Sequence, residues 1–118
     1  MKRKFRLARS TEIRRVRRAG RNYAHPLLVF YILRSSQPLT RICVVAGAGV
    51  GKAVVRNRTK RRIRAAFQGI YPRLVPGYDV MVIARKAVID ASWIELNQAV
   101  SELSNRAGLL ANPVENGC

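Results

Sequence analysis

The spacing of apolar residues changes repeatedly along the chain, and each change marks an element. Residues 1 to 9 are basic and without a regular apolar period. From there Ile13 and Val16 lie three apart, which is helical spacing, with Ser10 as N-cap, Glu12 in the first turn to complement the helix dipole, and Gly20 as the stop. After His25-Pro26, the run from Leu27 to Leu33 is apolar throughout, rich in branched and aromatic side chains, and bounded by turn formers. It predicts a central strand. Ser35-Ser36-Gln37-Pro38 reads as a turn, and Arg41 to Ala46 as a second strand, the antiparallel partner of the first in a hairpin with a long loop. From about Ala53 to Tyr71 the period becomes helical, with Val55, Ile63, Ala66, Phe67 and Ile70 on one side, until Pro72 ends it. Tyr78 to Ala84, entered through Pro76-Gly77, predicts a third strand. Ser92-Trp93-Ile94-Glu95 fits a capping box opening a last helix, whose buried stripe is Trp93, Leu96, Val100, Leu103 and Ala107 before Gly108 closes it.

The order helix, strand, strand, helix, strand, helix describes an α+β fold, a small sandwich of helices on one mixed sheet. A chain of 118 residues supports one core and not two, so residues 1–108 read as a single domain and 109–118 as a disordered tail.

Charge narrows the function. The formal net charge is +17 at pH 7, and 22 of the 23 Lys and Arg residues fall within residues 1–86, accompanied there only by Glu12 and Asp79. No acidic residue occurs from Ile13 to Tyr78, so intramolecular pairing leaves most of this charge uncompensated and a polyanionic partner is implied. A membrane surface would demand an exposed apolar face bordered by basic residues, whereas the apolar segments here read as strands and core helix faces. The longest uncharged apolar run is far below the ~20 residues of a transmembrane helix. Arg6, Arg9 and Arg14 stand where a signal peptide would be apolar. Cys43 in a strand and Cys118 at the last position read as free thiols, which fits a cytoplasmic location.

Gly47-Ala48-Gly49-Val50-Gly51-Lys52 looks superficially like a phosphate loop. Ala46 and Ala53 occupy positions where that motif requires glycine and a hydroxyl residue, so it reads as a turn feeding a helix. The informative segment follows. Six of the nine residues from Arg56 to Arg64 are basic, and on a helical wheel Asn57, Arg58, Lys60, Arg61, Arg62 and Arg64 lie opposite or flanking the apolar side. Arginine predominates, and its planar fork can hold a phosphate bidentately or lie flat on a base. A merely solvated charged face would carry interspersed acids, and this one carries none.

The stretch Gly51-Lys52-Ala53-Val54-Val55-Arg56-Asn57-Arg58-x-Lys60-Arg61-Arg62-Ile63-Arg64 resembles the "RNR" signature helix of the bacterial ribonuclease P protein family. Arg6-Leu7, the Ile13-x-x-Val16 helix ending at Gly20, Val29-Phe30-Tyr31, Pro76-Gly77-Tyr78-Asp79 and Val82-Ile83-Ala84-Arg85-Lys86 are similar to the family pattern in order and spacing, so the resemblance spans residues 2–107. It implies a ribosomal protein S5 domain 2-like fold with a left-handed βαβ crossover. It also implies two partners, the ribonuclease P RNA and precursor tRNA, whose 5′ leader the assembly removes. The RNA-binding residues implied are Lys52, Arg56, Asn57, Arg58, Lys60, Arg61, Arg62 and Arg64. A leader-binding cleft would draw on Arg14, Arg17, Tyr31 and Arg41. Of Phe30 and Tyr31, which point to opposite sheet faces, at least one is core, and Tyr31 with its polar tip is the better cleft candidate. Three positions depart from the family pattern: Gly47-Ala48-Gly49 replaces a Ser-Lys-Lys stretch, Arg17 replaces an aromatic, and Ala65 replaces a glutamate.

No catalytic residue and no metal ligand set is expected in the protein itself. Hydrolysis by side chains needs paired carboxylates or an acid and a base, and here one histidine, His25, and six scattered acids are all there is. The resemblance therefore implies the accessory subunit of a ribonucleoprotein endonuclease, with no cofactor bound by the protein, magnesium held by the RNA, and no small-molecule substrate. The rival readings are a structural ribosomal protein, which has no reason for the RNR spacing, and a DNA-binding repressor, which would show a helix-turn-helix pair.

Overall fold

A computed structural model describes residues 3–110. Its elements are α1 (Ser10–Ala19), β1 (Arg21–Ala24), β2 (Leu28–Arg34), β3 (Arg41–Val45), α2 (Ala53–Gln68), β4 (Tyr78–Ala84) and α3 (Trp93–Arg106), with short 3-10 turns at Arg3–Phe5, Tyr71–Arg73 and Lys86–Asp90. One four-stranded mixed sheet runs β1-β2-β4-β3. β1 and β4 are both antiparallel to β2, and β3 is parallel to β4.

The expected hairpin between the strands now labelled β2 and β3 does not form, because β4 lies between them. The reason is burial. Asp79, Val80, Met81, Val82 and Ala84 are all buried, so β4 is apolar on both faces and belongs in the sheet interior, while Arg41 fits an edge. α2 then serves as the long crossover that parallel strands require. β1 went unpredicted because Arg21 and Asn22 are exposed and only Tyr23 of its four residues is even half-buried. Its hairpin with β2 turns at His25, whose Nδ1 accepts the Leu27 N–H at 3.0 Å.

Alternation along the strands divides the core in two. Leu28, Phe30, Ile32, Ile42, Val44, Val80, Val82 and Ala84 face α2 and α3, meeting Ile63, Ala66, Phe67, Leu96, Ala99, Val100 and Leu103. The Phe30 and Phe67 rings stack with centroids 5.6 Å apart. On the other face Met81 packs with Leu7 and with Val16 of α1, fringed by half-buried Ile13, Tyr31, Leu33, Cys43, Val45 and Ile83. Gly20 permits the close passage from α1 into β1: a Cβ there would stand 2.5 Å from the Val16 carbonyl oxygen and 2.7 Å from that of Ile32.

Three smaller expectations change. Arg9, not Ser10, is the N-cap of α1, with no side-chain capping bond. α3 does open on its capping box, Ser92 and Glu95 exchanging bonds of 2.8 and 3.0 Å. Trp93, however, is 49% exposed, as the whole first turn of α3 is down to Leu96, and Ala99 and Ser104 complete the buried stripe instead. The fold also continues beyond residue 108. Leu109 is fully buried and its carbonyl accepts the Val75 N–H at 2.6 Å, while Leu110 pairs with Leu74. Residues 111–118, including Cys118, lie outside the described residues; Cys43 is free and half-buried.

Candidate nucleic-acid interface

Turning ~100° per residue, α2 buries Thr59, Ile63, Ala66 and Phe67 and sorts its basic side chains onto two flanks. Arg56, Lys60 and Arg64 follow one another at four-residue spacing along the flank toward the β3 edge, with Asn57 and Arg61 exposed beside them. Arg58 and Arg62 lie on the opposite flank. There Arg62 donates from Nη1 to the Val88 carbonyl at 3.2 Å and from Nη2 to that of Ala91 at 2.6 Å, fastening α2 to the turn before α3. Arg62, expected among the RNA contacts, is therefore committed inside the fold. Lys52 precedes the helix as its exposed N-cap residue.

The free flank of α2 is extended by the N-terminal segment. Arg6 forms a bridge with Ile42, and the Leu7 N–H donates to the Ile42 carbonyl at 2.9 Å, so the segment lies along the otherwise open edge of β3. Phe5 anchors it: its ring lies 4.2 Å from that of Tyr71, and its carbonyl accepts the Tyr71 hydroxyl at 3.0 Å. Arg6 thereby comes close enough to Arg64 that partial burial and its positive charge both lower the Arg64 pKa, though a guanidinium stays charged at neutral pH. Burial pushes the Cys43 thiol up, while Arg64 and Lys60 pull it down. Their charge reaches around the β3 edge onto the α1 face of the sheet.

On that face the strand register forms rows. Tyr31, Met81 and Cys43 make one, Val29, Ile83 and Val45 the next, and Leu33, Asp79 and Arg41 a third. α1 lies over β2 and β4 and leaves every residue of the Val29 row half-exposed. Along its border runs a groove of about 390 Å³ lined by Ile13, Arg14, Arg17, Arg18 and Met81. The Arg17 guanidinium stands 5.9 Å from the Tyr31 ring centroid, within cation–π range. Phe30 is core and Tyr31 half-exposed, which resolves the two alternatives the sequence left open. Arg18, exposed on the same helix, was not singled out from the sequence; its three- and four-residue spacing from Arg15 and Arg14 was the available signal.

Arg41 differs from the sequence expectation. Its Nε and Nη2 donate to Asp79 at 3.0 Å each, and Nη1 and Nη2 to Glu12 at 3.4 and 2.9 Å. With 18% of its side chain exposed and four bonds made to two carboxylates, it joins α1 to the sheet rather than facing the cleft. The Arg41 guanidinium holds the Glu12 carboxyl below its ordinary range, and the Asp79 bond in turn raises Arg41. Neither carboxylate is left to offset the arginines around the groove.

What remains is an apolar sheet surface bearing one aromatic ring, bordered by Arg14, Arg17 and Arg18 of α1, with the charges of Arg6, Lys60 and Arg64 beyond the β3 edge. Such a surface can stack bases and neutralise phosphates of a flexible single strand, while the outer face of α2 presents Arg56, Asn57 and Arg61 to a folded polyanion.

Comparison with known proteins accords with this geometry. The family model described as Ribonuclease P matches residues 1–108. The ribonuclease P protein component of Symbiobacterium thermophilum is 43% identical over 111 residues, covering 93% of this chain and 96% of that protein. That of Herpetosiphon aurantiacus is 39% identical, covering 92% and 89%. Among solved structures, the RNase P protein of Staphylococcus aureus superposes with a TM-score of 0.82 at 22% identity, over 90% of this chain and 97% of that one. The Thermotoga maritima protein gives 0.76 at 21%, over 85% and 96%.

Proposed function

Because this chain belongs to the ribonuclease P protein family, and so is the protein component of that ribonuclease, we propose that it binds two RNAs on adjoining surfaces. The outer flank of α2, through Arg56, Asn57, Lys60, Arg61 and Arg64 with Lys52 and Arg58 at its margins, holds the ribonuclease P RNA. The half-open rows of the sheet receive the single-stranded 5′ leader of precursor tRNA, with Tyr31 stacking on a base and Arg14, Arg17 and Arg18 meeting phosphates. The observation that carries this reading is a half-exposed apolar sheet row beside the Arg14, Arg17 and Arg18 groove, near which both carboxylates are already occupied by Arg41.

The same occupancy supports leaving the chemistry to the RNA. Glu12 and Asp79 are the carboxylates nearest the cleft, and both are spent on Arg41. In this proposal magnesium is held by the RNA, and the protein lowers phosphate repulsion and strengthens substrate binding. In this proposal the assembly works in the cytoplasm.

The test is cleavage of a precursor tRNA by a bacterial ribonuclease P RNA at low magnesium, with and without this protein. Cleavage at the mature 5′ end that depends on the protein is the expected result. Tight RNA binding without stimulation would overturn the proposal.

A further inference from the structure

A second cavity, of about 400 Å³, opens where β1 leaves α1, and the reading above makes no use of it. Arg21, Tyr23, Ile32, Arg34, Tyr78 and Ala107 line it. The register pairs Arg21 with Ile32, Tyr23 with Phe30 and Arg34 with Tyr78, which puts these side chains on the α2/α3 face, beyond the end of α3. Ala19 at the end of α1 and Leu33 complete the rim where α1 passes into β1, and no residue is shared with the Ile13, Arg14, Arg17, Arg18 and Met81 lining of the leader groove.

Its chemistry differs from that of the arginines that hold the fold together. Arg41, Arg62 and Arg106 each donate to a carboxylate or a carbonyl. Arg21 makes no hydrogen bond or ion pair among the described residues. Arg34 has only the Tyr78 hydroxyl, at 3.5 Å, with its guanidinium carbon 5.7 Å from the Tyr78 ring centroid. Both are exposed, and no carboxylate lines the cavity. Two uncompensated guanidinium groups at one pocket repel each other until an anion lies between them, and the forks of two arginines suit phosphate. The other walls are the half-buried rings of Tyr23 and Tyr78 over an Ile32 and Ala107 floor, flat and apolar enough for a nucleobase. The volume falls within the ~300–1,000 Å³ of small-ligand sites.

We infer that this pocket binds one nucleotide unit, its phosphate between Arg21 and Arg34 and its base against Tyr23 and Tyr78. The nucleotide can belong to an RNA strand that wraps around the β1 edge, or be a free mononucleotide; the recognition chemistry is the same.

The experiment is an amide NMR titration of the ¹⁵N-labelled full chain with inorganic phosphate, adenosine 5′-monophosphate and a short single-stranded oligoadenylate. Shifts at Arg21, Tyr23, Tyr78 and Ala107 are expected with the nucleotide ligands. Binding read at those amides should weaken about tenfold or more in an Arg21→Gln, Arg34→Gln double variant, as the loss of two charged hydrogen bonds requires. The same affinity should persist in Arg14→Ala, Arg17→Ala. Stronger binding of the oligonucleotide assigns the site to an RNA strand, and equal binding to a free nucleotide. The glutamines keep side-chain bulk at exposed positions, and unchanged amides elsewhere report an intact fold. Silence at the pocket amides, equal affinity in the glutamine variant, or phosphate acting as strongly as the nucleotide would overturn the inference. The leader reading survives each of these, since the α1 variant probes it separately.

Discussion

The two faces of the sheet come from the same alternating strands and are closed by different physics. Phe30 and its neighbours are sealed under α2 and α3 by apolar area alone, each large side chain buried there adding roughly 1.5–3 kcal/mol. One residue along, Tyr31 meets a single ten-residue helix held by one buried valine and an arginine shared between two carboxylates. Where apolar packing seals the sheet there is no room for a ligand, and the pocket between Arg21 and Arg34 opens only past the end of α3, outside that seal. A face closed by an ion cluster at one end can stay open at the other.

The largest expected effect comes from breaking the sealed face. Phe67→Ala removes the ring stacked on Phe30 and should lower unfolding stability by about 3–5 kcal/mol, read from urea denaturation. Tyr31→Ala should cost far less. Equal losses would mean that both faces are core.

Next is the clasp on the open face. Arg41→Ala leaves Asp79, whose side chain is 10% exposed, without its cation. The cost should be roughly 2–4 kcal/mol, somewhat under that of breaking a fully buried pair. Adding Asp79→Asn should restore part of it, and no recovery in the double variant would show that packing, not charge, holds α1 in place.

The RNR helix and the Arg41 clasp differ in how far each could be read from the sequence. The span of β4 from Tyr78 to Ala84 and the Ser92 capping box follow from local period and chemistry and appear where expected; the apolar side of α2 does so at Ile63, Ala66 and Phe67, whereas Thr59 is buried, Val55 is only half-buried, and the helix ends at Gln68, before Ile70. Strand order did not, since pairing β3 with β4 depends on which strand is apolar on both faces, a comparison across the whole chain. Among the site residues, the RNR helix was legible as a block of charge. Its division was not: Arg62 differs from Arg64 only by meeting the Val88 and Ala91 carbonyls, which lie more than twenty residues away. Arg41 is likewise indistinguishable from a cleft arginine until β3 is placed beside β4, because Glu12 and Asp79 are remote in sequence.

The free flank of α2 should then separate binding from folding. Arg61→Ala with Arg64→Ala should weaken affinity for ribonuclease P RNA by about 2 kcal/mol, with a shallower salt dependence, and leave the urea midpoint unchanged. Arg62→Ala should do the reverse, loosening the attachment of α2 to the turn at Lys86–Asp90 while changing RNA affinity less. If both variants lose stability alike, the two flanks are not distinct. Tyr31→Ala belongs one step down: it should reduce affinity for a precursor tRNA by about 1–2 kcal/mol and leave affinity for the mature tRNA unchanged, as loss of one stacked base requires.

The smallest effect is one of pH, and it isolates the clasp without deleting it. Glu12 has its pKa lowered in the folded protein by the Arg41 hydrogen bond, so the unfolded chain takes up this proton first as the solution is acidified. The stability it contributes is complete above the ordinary carboxylate value of 4.5 and fades as pH falls below it through the folded value. Losing the Glu12 arm of the Arg41 cluster removes the bond that ties α1 itself to the guanidinium, so α1 should loosen over the sheet before the α2/α3 face melts. Tyr31 and Arg17 amides should therefore shift at higher pH than those of Phe30 and Phe67. In Glu12→Gln that early phase should be missing while the later one remains. If the variant keeps the early phase, α1 is held by Val16 and Ile13 alone, and the open face owes nothing to its charges.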